Sequence, residues 1–251
     1  MVCKVKCKYE VTKIEPKKTE EWLLNKHYSK RKCNIMESFG LIDNYEIVGV
    51  CTFGMPPTPF MESLFGKGNY IELNRLITND GLEKNVLSFF VASSIKRLGN
   101  RVVVSYADPN SGHNGYIYQA TNFVYTGKGR VNQEDKRGVN RFFYNDTEYH
   151  ERHIPETMNR LKFSIDVSET KNQNWKDNGG LVVAQKRKHR YFFVNGSKGF
   201  KKRNMNIIKN HFKIYPYPKD KNEEYDASYE VSDRYVTSTL FNYEQMKKVL
   251  R

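Results

Sequence analysis

Residues 70–106 read YIELNRLITNDGLEKNVLSFFVASSIKRLGNRVVVSY, and the fold is decided there. Tyr70 to Thr78 is a strand-like run, and Asn79-Asp80-Gly81 after it is a turn sequence. From Leu82 to Leu98 the apolar residues Val86, Leu87, Phe90, Val91, Ile95 and Leu98 recur at helical spacing, and Gly99 closes the helix. Arg101 to Tyr106 then holds three consecutive valines, Val102, Val103 and Val104, the pattern of a strand buried on both faces and usually parallel to a neighbour. Strand, helix and buried strand together predict a crossover unit inside a central sheet.

Upstream, Ser38 to Leu41 and Tyr45 to Phe53 read as a hairpin joined at Asp43-Asn44, which tolerates the positive φ of a tight turn. The three prolines between Met55 and Pro59 end the ladder. Pro16 and Thr19 open a helical stretch with Trp22 and Leu23 on one side. Before it, Cys3, Val5, Cys7 and Tyr9 alternate with Lys4, Lys6 and Lys8, and this period of two predicts a half-buried strand. The four cysteines, Cys3, Cys7, Cys33 and Cys51, lack zinc spacing and are expected to be plain buried thiols in a reducing cytosol.

Downstream, Asp108 to Gly115 is a polar loop, Tyr116 to Thr121 a short helix and Phe123 to Thr126 a strand. Residues 127–180 turn polar and poor in aliphatic side chains, which predicts a surface insertion. Residues 181–219 are expected to complete the sheet, with a strand at Tyr191 to Val194 and a helix at Met205 to His211 that ends before Tyr215-Pro216-Tyr217-Pro218. The whole chain, 1–251, is expected to form one α/β (α+β) domain, a mixed central sheet flanked by helices, with a basic insertion and a C-terminal extension.

The charge narrows the partner. Lysine and arginine number 42 against 28 carboxylates, a net +14, and Asn178 to Lys219 holds no Asp or Glu. So concentrated an excess points to a polyanion. The 17 tyrosines and 15 phenylalanines exclude a disordered chain, and no apolar run approaches the roughly 20 residues of a membrane span. No membrane partner is expected. Lys186, Arg187, Lys188 and Arg190, with Lys201, Lys202 and Arg203, are the candidate phosphate contacts, and Tyr125 with Lys128 to Arg130 a further rim.

The order hairpin, strand, turn, helix, buried strand, loop, short helix, strand is similar to that of the GNAT acyltransferases. In that fold acyl-CoA pyrophosphate sits at the helix N-terminus, where open amides and the dipole favour anions. The resemblance places acetyl-CoA on Leu76, Ile77, Asn79, Gly81 and Asn85. Of the glycine-rich loop usual there, only Gly81 is present, and Asp80 adds an adverse charge unless it caps the helix.

A second resemblance is more particular. Residues 106–123, YADPNSGHNGYIYQATNF, together with Glu72-Leu73-Asn74-Arg75-Leu76, His27-Tyr28, Lys188-His189-Arg190-Tyr191 and Tyr215-Pro216-Tyr217-Pro218-Lys219, resemble the Mom family of phage DNA-modification proteins. The resemblance implies an enzyme of the infected host's cytoplasm. It would act on double-stranded DNA, adding a carbamoylmethyl group to adenine N6 and so hiding sites from restriction. It implies catalytic roles for His27, Tyr28 and Asp108, and links the family to acetyl-CoA and to iron(II), for which His27 and Asp108 are the candidate ligands.

The residues themselves admit those roles. Imidazole changes state near neutral pH, so His27 suits a general base or a metal ligand. Asp108 follows the C-terminal end of the triple-valine strand, the edge where ligands collect, and equally suits a helix cap. Tyr28 can donate to an oxyanion or stack on a base. Two other readings stay open: a GNAT acetyltransferase acting on tRNA or a protein amine, and a non-catalytic DNA-binding anti-restriction protein.

Overall fold

The computed structural model describes residues 2–56, 59–129, 139–149, 151–219 and 231. Helix α1 (Val2–Lys8) leads into β1 (Glu10–Lys13), and β2 (Glu37–Asp43) and β3 (Glu46–Gly54) form the expected hairpin. Asn44 and Tyr45 take its positive φ values, 47° and 66°, one residue later than the sequence suggests. After α2 (Pro59–Phe65) come β4 (Tyr70–Thr78), α3 (Val86–Lys96), β5 (Arg101–Ala107), α4 (Tyr116–Ala120) and β6 (Val124–Lys128). The chain then builds β7 (Val139–Tyr144), β8 (Thr147–Tyr149), α5 (Ile154–Arg160), α6 (Lys171–Asp177) and β9 (Leu181–Gln185), and ends its described part with β10 (His189–Asn195) and α7 (Lys198–His211).

The central sheet runs β1-β2-β3-β4-β5-β10-β6, and among the described residues only β4 and β5 are parallel neighbours. It is the mixed central sheet flanked by helices that the element order predicts. On one face α3 sets Phe90, Val91 and Ile95 against Phe53, Leu73 and Val103. On the other, α7 presents Phe200 and Ile208, two turns apart, to Val102, Val104 and Phe192. A third cluster joins Trp22 and Leu23 to Ile47, Val50, Ile77 and Val231.

The parallel pairing is short. It runs from Tyr70 opposite Val102 to Leu73 opposite Ser105, where the Ser105 hydroxyl donates to the Leu73 carbonyl at 2.8 Å. Asn74 then bulges from the ladder, and its side chain accepts from Thr52 Oγ1 at 2.6 Å and donates to the Asn34 carbonyl at 2.8 Å. Beyond the bulge β4 stays with β3, while Tyr106 and Ala107 pair with Arg190 and His189 of β10. The two strands part, and the sheet opens.

Three expectations are corrected. The N-terminal strand is instead helix α1: the Tyr9 amide donates to the Val5 carbonyl at 3.0 Å, and Val5 and Tyr9 pack on the cluster that α3 completes while Cys7, which a strand would set on their face, is exposed. The helix after Gly81 starts only at Val86, because Asn85 adopts φ 73° and interrupts it. Cys7 is exposed rather than buried, since α1 turns it outward.

Beyond residue 127, β7 joins β8 and β9 in a separate three-stranded sheet with its own cluster of Phe142, Ile154, Met158 and Trp175, so of the segment 181–219 only β10 enters the central sheet, while β9 pairs with β7. The Trp175 indole N–H donates to the Phe143 carbonyl at 3.0 Å, and a Cβ at position 180 would lie 2.3 Å from that indole nitrogen, so Gly180 is required there.

Candidate active site

A cavity of about 400 Å³ fills the opening between β4 and β5. Asn74, Arg75 and Leu76 form one wall and Tyr106 and Ala107 the other, with Lys84, Asn85, Leu87, Ser88 and α4 closing one side and His27, Tyr28 and His113 another. Gly115 also lines it, at φ 79°, where a Cβ would meet the Tyr191 ring at 2.4 Å. No side chain fits that position.

His27 reaches the cavity through an irregular helix. The turn Trp22–Lys26 is a π-turn, in which the His27 amide donates to the Trp22 carbonyl at 2.9 Å. The chain then leaves the helix at His27, in extended conformation, and stacks the imidazole 4.2 Å from Tyr28, whose ring meets His113 edge-on at 5.0 Å. His27 is 5% exposed; burial, and after it the Arg75 charge, the neighbouring His113 imidazole and the Lys188 charge, pull its pKa down to about 3. It is therefore neutral. The Ser29 amide donates to Nδ1 at 3.1 Å and the Ser29 hydroxyl lies 2.7 Å from it, so the ring proton resides on Nε2. His27 thus lines the cavity as a neutral imidazole that carries its proton on Nε2.

Asp108 stands at the end of β5, just outside the cavity wall. Its Oδ1 accepts from the Asn110 amide at 3.0 Å and side chain at 2.8 Å, and Lys188 Nζ lies 3.1 Å from Oδ2. Burial pushes its pKa up, but the Lys188 charge and the Asn110 bonds outweigh that and hold it below the ordinary value. It both caps the turn and faces a cation.

The residues do not fit an iron site. Both Asp108 oxygens already face donors and His27 Nδ1 is taken by Ser29, and among the described residues no three His, Cys, Asp or Glu side chains converge as metal ligands.

Of the residues expected to hold acetyl-CoA, Leu76 and Asn85 line the cavity. Ile77 turns to the opposite face and is buried against the Trp22 cluster, and Asn79 exchanges two hydrogen bonds with the Val231 backbone, at 3.0 and 3.3 Å. Gly81, at φ 74°, makes the turn. The adverse charge of Asp80 is answered by Lys26, whose buried ammonium lies 3.3 Å from Oδ2. Glu83 is held by Lys8 at 2.6 Å and by Tyr9. The first turn of α3 carries no acid and no side-chain cap, and Lys84 lies beside it in the cavity wall. This donor set suits an anion.

Among the phosphate candidates, Lys186, Lys188, Lys201, Lys202 and Arg203 are exposed and Arg187 half-buried. Arg190 is not a phosphate contact. Its guanidinium lies buried 4.4 Å from the Phe212 ring, bonded to Thr126 Oγ1 at 2.9 Å. Tyr125 is likewise no rim residue but is buried with its hydroxyl 2.7 Å from His189 Nδ1, and Arg130 lies outside the described residues.

Arg75, His113, Lys84 and Tyr116 were missed by sequence reasoning. A signal for the first existed: Glu72, Asn74 and Arg75 are three polar residues in a central strand, which burial alone disfavours. Arg75 Nε is buried without a hydrogen-bond partner among the described residues. Beside it, burial pushes Glu72 up to about 7, against the pull of Lys188 and Arg75.

The family model described as the Mom protein family matches residues 8–219. The methylcarbamoylase mom of Escherichia phage Mu is 28% identical over 205 residues, covering 77% of this chain and 77% of its own. Two solved structures are similar at low TM-scores. A Bacillus subtilis acetyltransferase in complex with CoA gives 0.37 at 10% identity, covering 75% of this chain and 99% of that one. An N-acetyltransferase from Staphylococcus aureus Mu50 gives 0.35 at 17%, covering 48% and 86%. Since the family match runs through every strand of the central sheet and every residue of the cavity wall, this chain belongs to the Mom protein family.

Proposed function

We propose that the protein is a phage DNA-modification enzyme. It converts adenine in double-stranded DNA to the N6-carbamoylmethyl form inside the infected bacterium and so protects phage DNA from restriction. The observation that carries this reading is the cavity at the strand opening of a Mom-family chain, where Arg75 Nε is buried with no hydrogen-bond partner among the described residues, beside neutral His27.

Adenine N6 is a weak nucleophile inside a paired, stacked duplex, so the base must be extruded into a pocket. Tyr116 suits its platform: it lines the cavity, is 70% exposed, and makes no ring contact with a described residue. Arg75 and the Nε2–H of His27 are the donors for developing negative charge. Asp108, held by Lys188, ties the basic segment to the site rim. An acyl-CoA would be held by Leu76, Asn85 and Lys84 and would supply a two-carbon unit; because the added group joins N6 through a methylene carbon, acyl transfer by itself does not complete it. Exposed Lys201, Lys202 and Arg203 contact phosphates.

Mass spectrometry of nucleosides from bacteria expressing the chain tests the reading. A new adenosine heavier by a carbamoylmethyl group is expected, and should be absent with Asp108→Ala. Unmodified adenosine in both, with soluble and DNA-bound protein, overturns the enzyme and favours a passive DNA-binding protein.

A further inference from the structure

The small β7-β8-β9 sheet has two unlike faces. Phe142, Tyr144, Tyr149 and Val182 pack inward against Trp175. Alternation turns the intervening residues outward, and the register sets Arg141 opposite Val183 and Phe143 opposite Leu181. Leu181 is 60% exposed and Val183 39%, on the edge strand of the sheet. Glu148 grips the Arg141 guanidinium, which lies 5.0 Å from the Phe143 ring centroid. Three apolar side chains, Phe143, Leu181 and Val183, thus form a ridge with the Arg141 cation flattened upon it.

This ridge sits beside the candidate active site. Lys186 directly follows β9; its amide donates to Asn110 Oδ1 at 2.8 Å, and the Asn110 side chain donates back to its carbonyl at 2.8 Å. Asn110 also binds the Asp108 carboxylate, which faces Lys188. Two hydrogen bonds and an ion pair therefore fix the end of the ridge to the rim of the cavity, and the chain leaving the ridge is the run Lys186, Arg187, Lys188. A polyanion drawn to that run meets the ridge next.

We infer that this face docks duplex DNA, with Leu181, Val183 and Phe143 wedging into the base stack to drive a nucleotide towards the cavity. Proteins that unstack duplexes insert such apolar side chains, and phosphate contacts beside them position the wedge. The inference rests on the proposed adenine-modifying function, which needs extrusion but does not name the group that performs it.

Permanganate oxidises thymines that have lost their stacked partner, so it reads duplex opening by the purified full-length protein with no cofactor. On plasmid DNA the wild type is expected to raise thymine reactivity. Leu181→Ser/Val183→Ser should lower that signal at least about fivefold, because the wedge and not the phosphate contacts pays for unstacking. Filter binding of the same plasmid should fall less, and the circular dichroism spectrum should be unchanged, both side chains being exposed. An unchanged permanganate signal in the variant, or no signal from the wild type, overturns the wedge. Nucleoside mass spectrometry of cells expressing the wild type separates the two readings. Modified adenine there, with a permanganate signal indifferent to the variant, removes the wedge alone, whereas its absence removes the function on which the wedge rests.

Discussion

Lys188 Nζ lies 3.1 Å from Asp108 Oδ2, joining the basic segment to the loop that ends β5. The lysine is half exposed, so the pair contributes little to folding, under about 1 kcal/mol. Lys188→Ala and Asp108→Asn should each lower the melting temperature by no more than about 4 °C. A double-mutant cycle in thermal denaturation checks this. A much larger coupling would mean that loss of activity in Asp108 variants reports unfolding.

Neutral His27 with its proton on Nε2 makes a spectroscopic prediction. Nitrogen-15 shifts of the ring should show that tautomer unchanged from pH 8 to pH 5, because its pKa lies near 3. His27→Gln, which keeps a donor amide, should retain more modification than His27→Ala. An imidazolium appearing between pH 6 and 7 would contradict the assignment.

Glu72 has a folded pKa near 7 against an ordinary 4.5, so the stability carried by its neutral form is fully present below pH 4.5 and is lost as pH rises through about 7. Glu72→Gln stays neutral throughout. It should exceed the wild type by about 1–3 kcal/mol at pH 8.5, and the advantage should close towards pH 4.5. Melting curves across that range decide it, and a gap independent of pH would sink it.

Arg190 and the α7 cluster should behave oppositely. Arg190→Gln leaves Thr126 and Phe212 without their cation and should cost about 2 kcal/mol or more of stability, with the salt dependence of DNA binding unchanged. Lys201→Gln/Lys202→Gln/Arg203→Gln should leave stability alone and reduce the slope of log affinity against log salt by up to about 2.7. Anisotropy titrations at several salt concentrations distinguish them.

Tyr116→Ala should reduce DNA modification about tenfold or more, while Tyr116→Phe keeps most of it, since a stacking platform needs the ring and not the hydroxyl. Equal loss in both variants would argue for a hydroxyl role instead.

The reach of the sequence differed from element to element for identifiable reasons. The valines of β5 were legible as an apolar run buried on both faces, and β4 by the turn residues that follow Thr78 and the strand-forming residues Tyr70, Ile71 and Ile77 within it. Helix α1 was not, because Val5 and Tyr9, four residues apart, share one face in a strand and in a helix alike, and only the outward turn of Cys7 and the amide bond from Tyr9 to Val5 select the helix. The His27-Tyr28 pair entered through resemblance, and the structure supplied what motif matching lacks: the π-turn that delivers it and the Ser29 bonds that fix its proton. Arg190 illustrates the reverse failure. A basic run suggested phosphates for every member, whereas Arg190 alone of them falls inside β10, a strand buried on both faces.

Asn79 grips Val231, whose side chain lies 3% exposed in the same cluster as Trp22, the residue that starts the π-turn. The family match ends at residue 219, twelve positions earlier. A gene trimmed to the matched region would thus encode every strand of the sheet yet lose a plug from beneath the helix that presents His27. For expression, the practical boundary of the working unit lies beyond the boundary of recognisable ancestry.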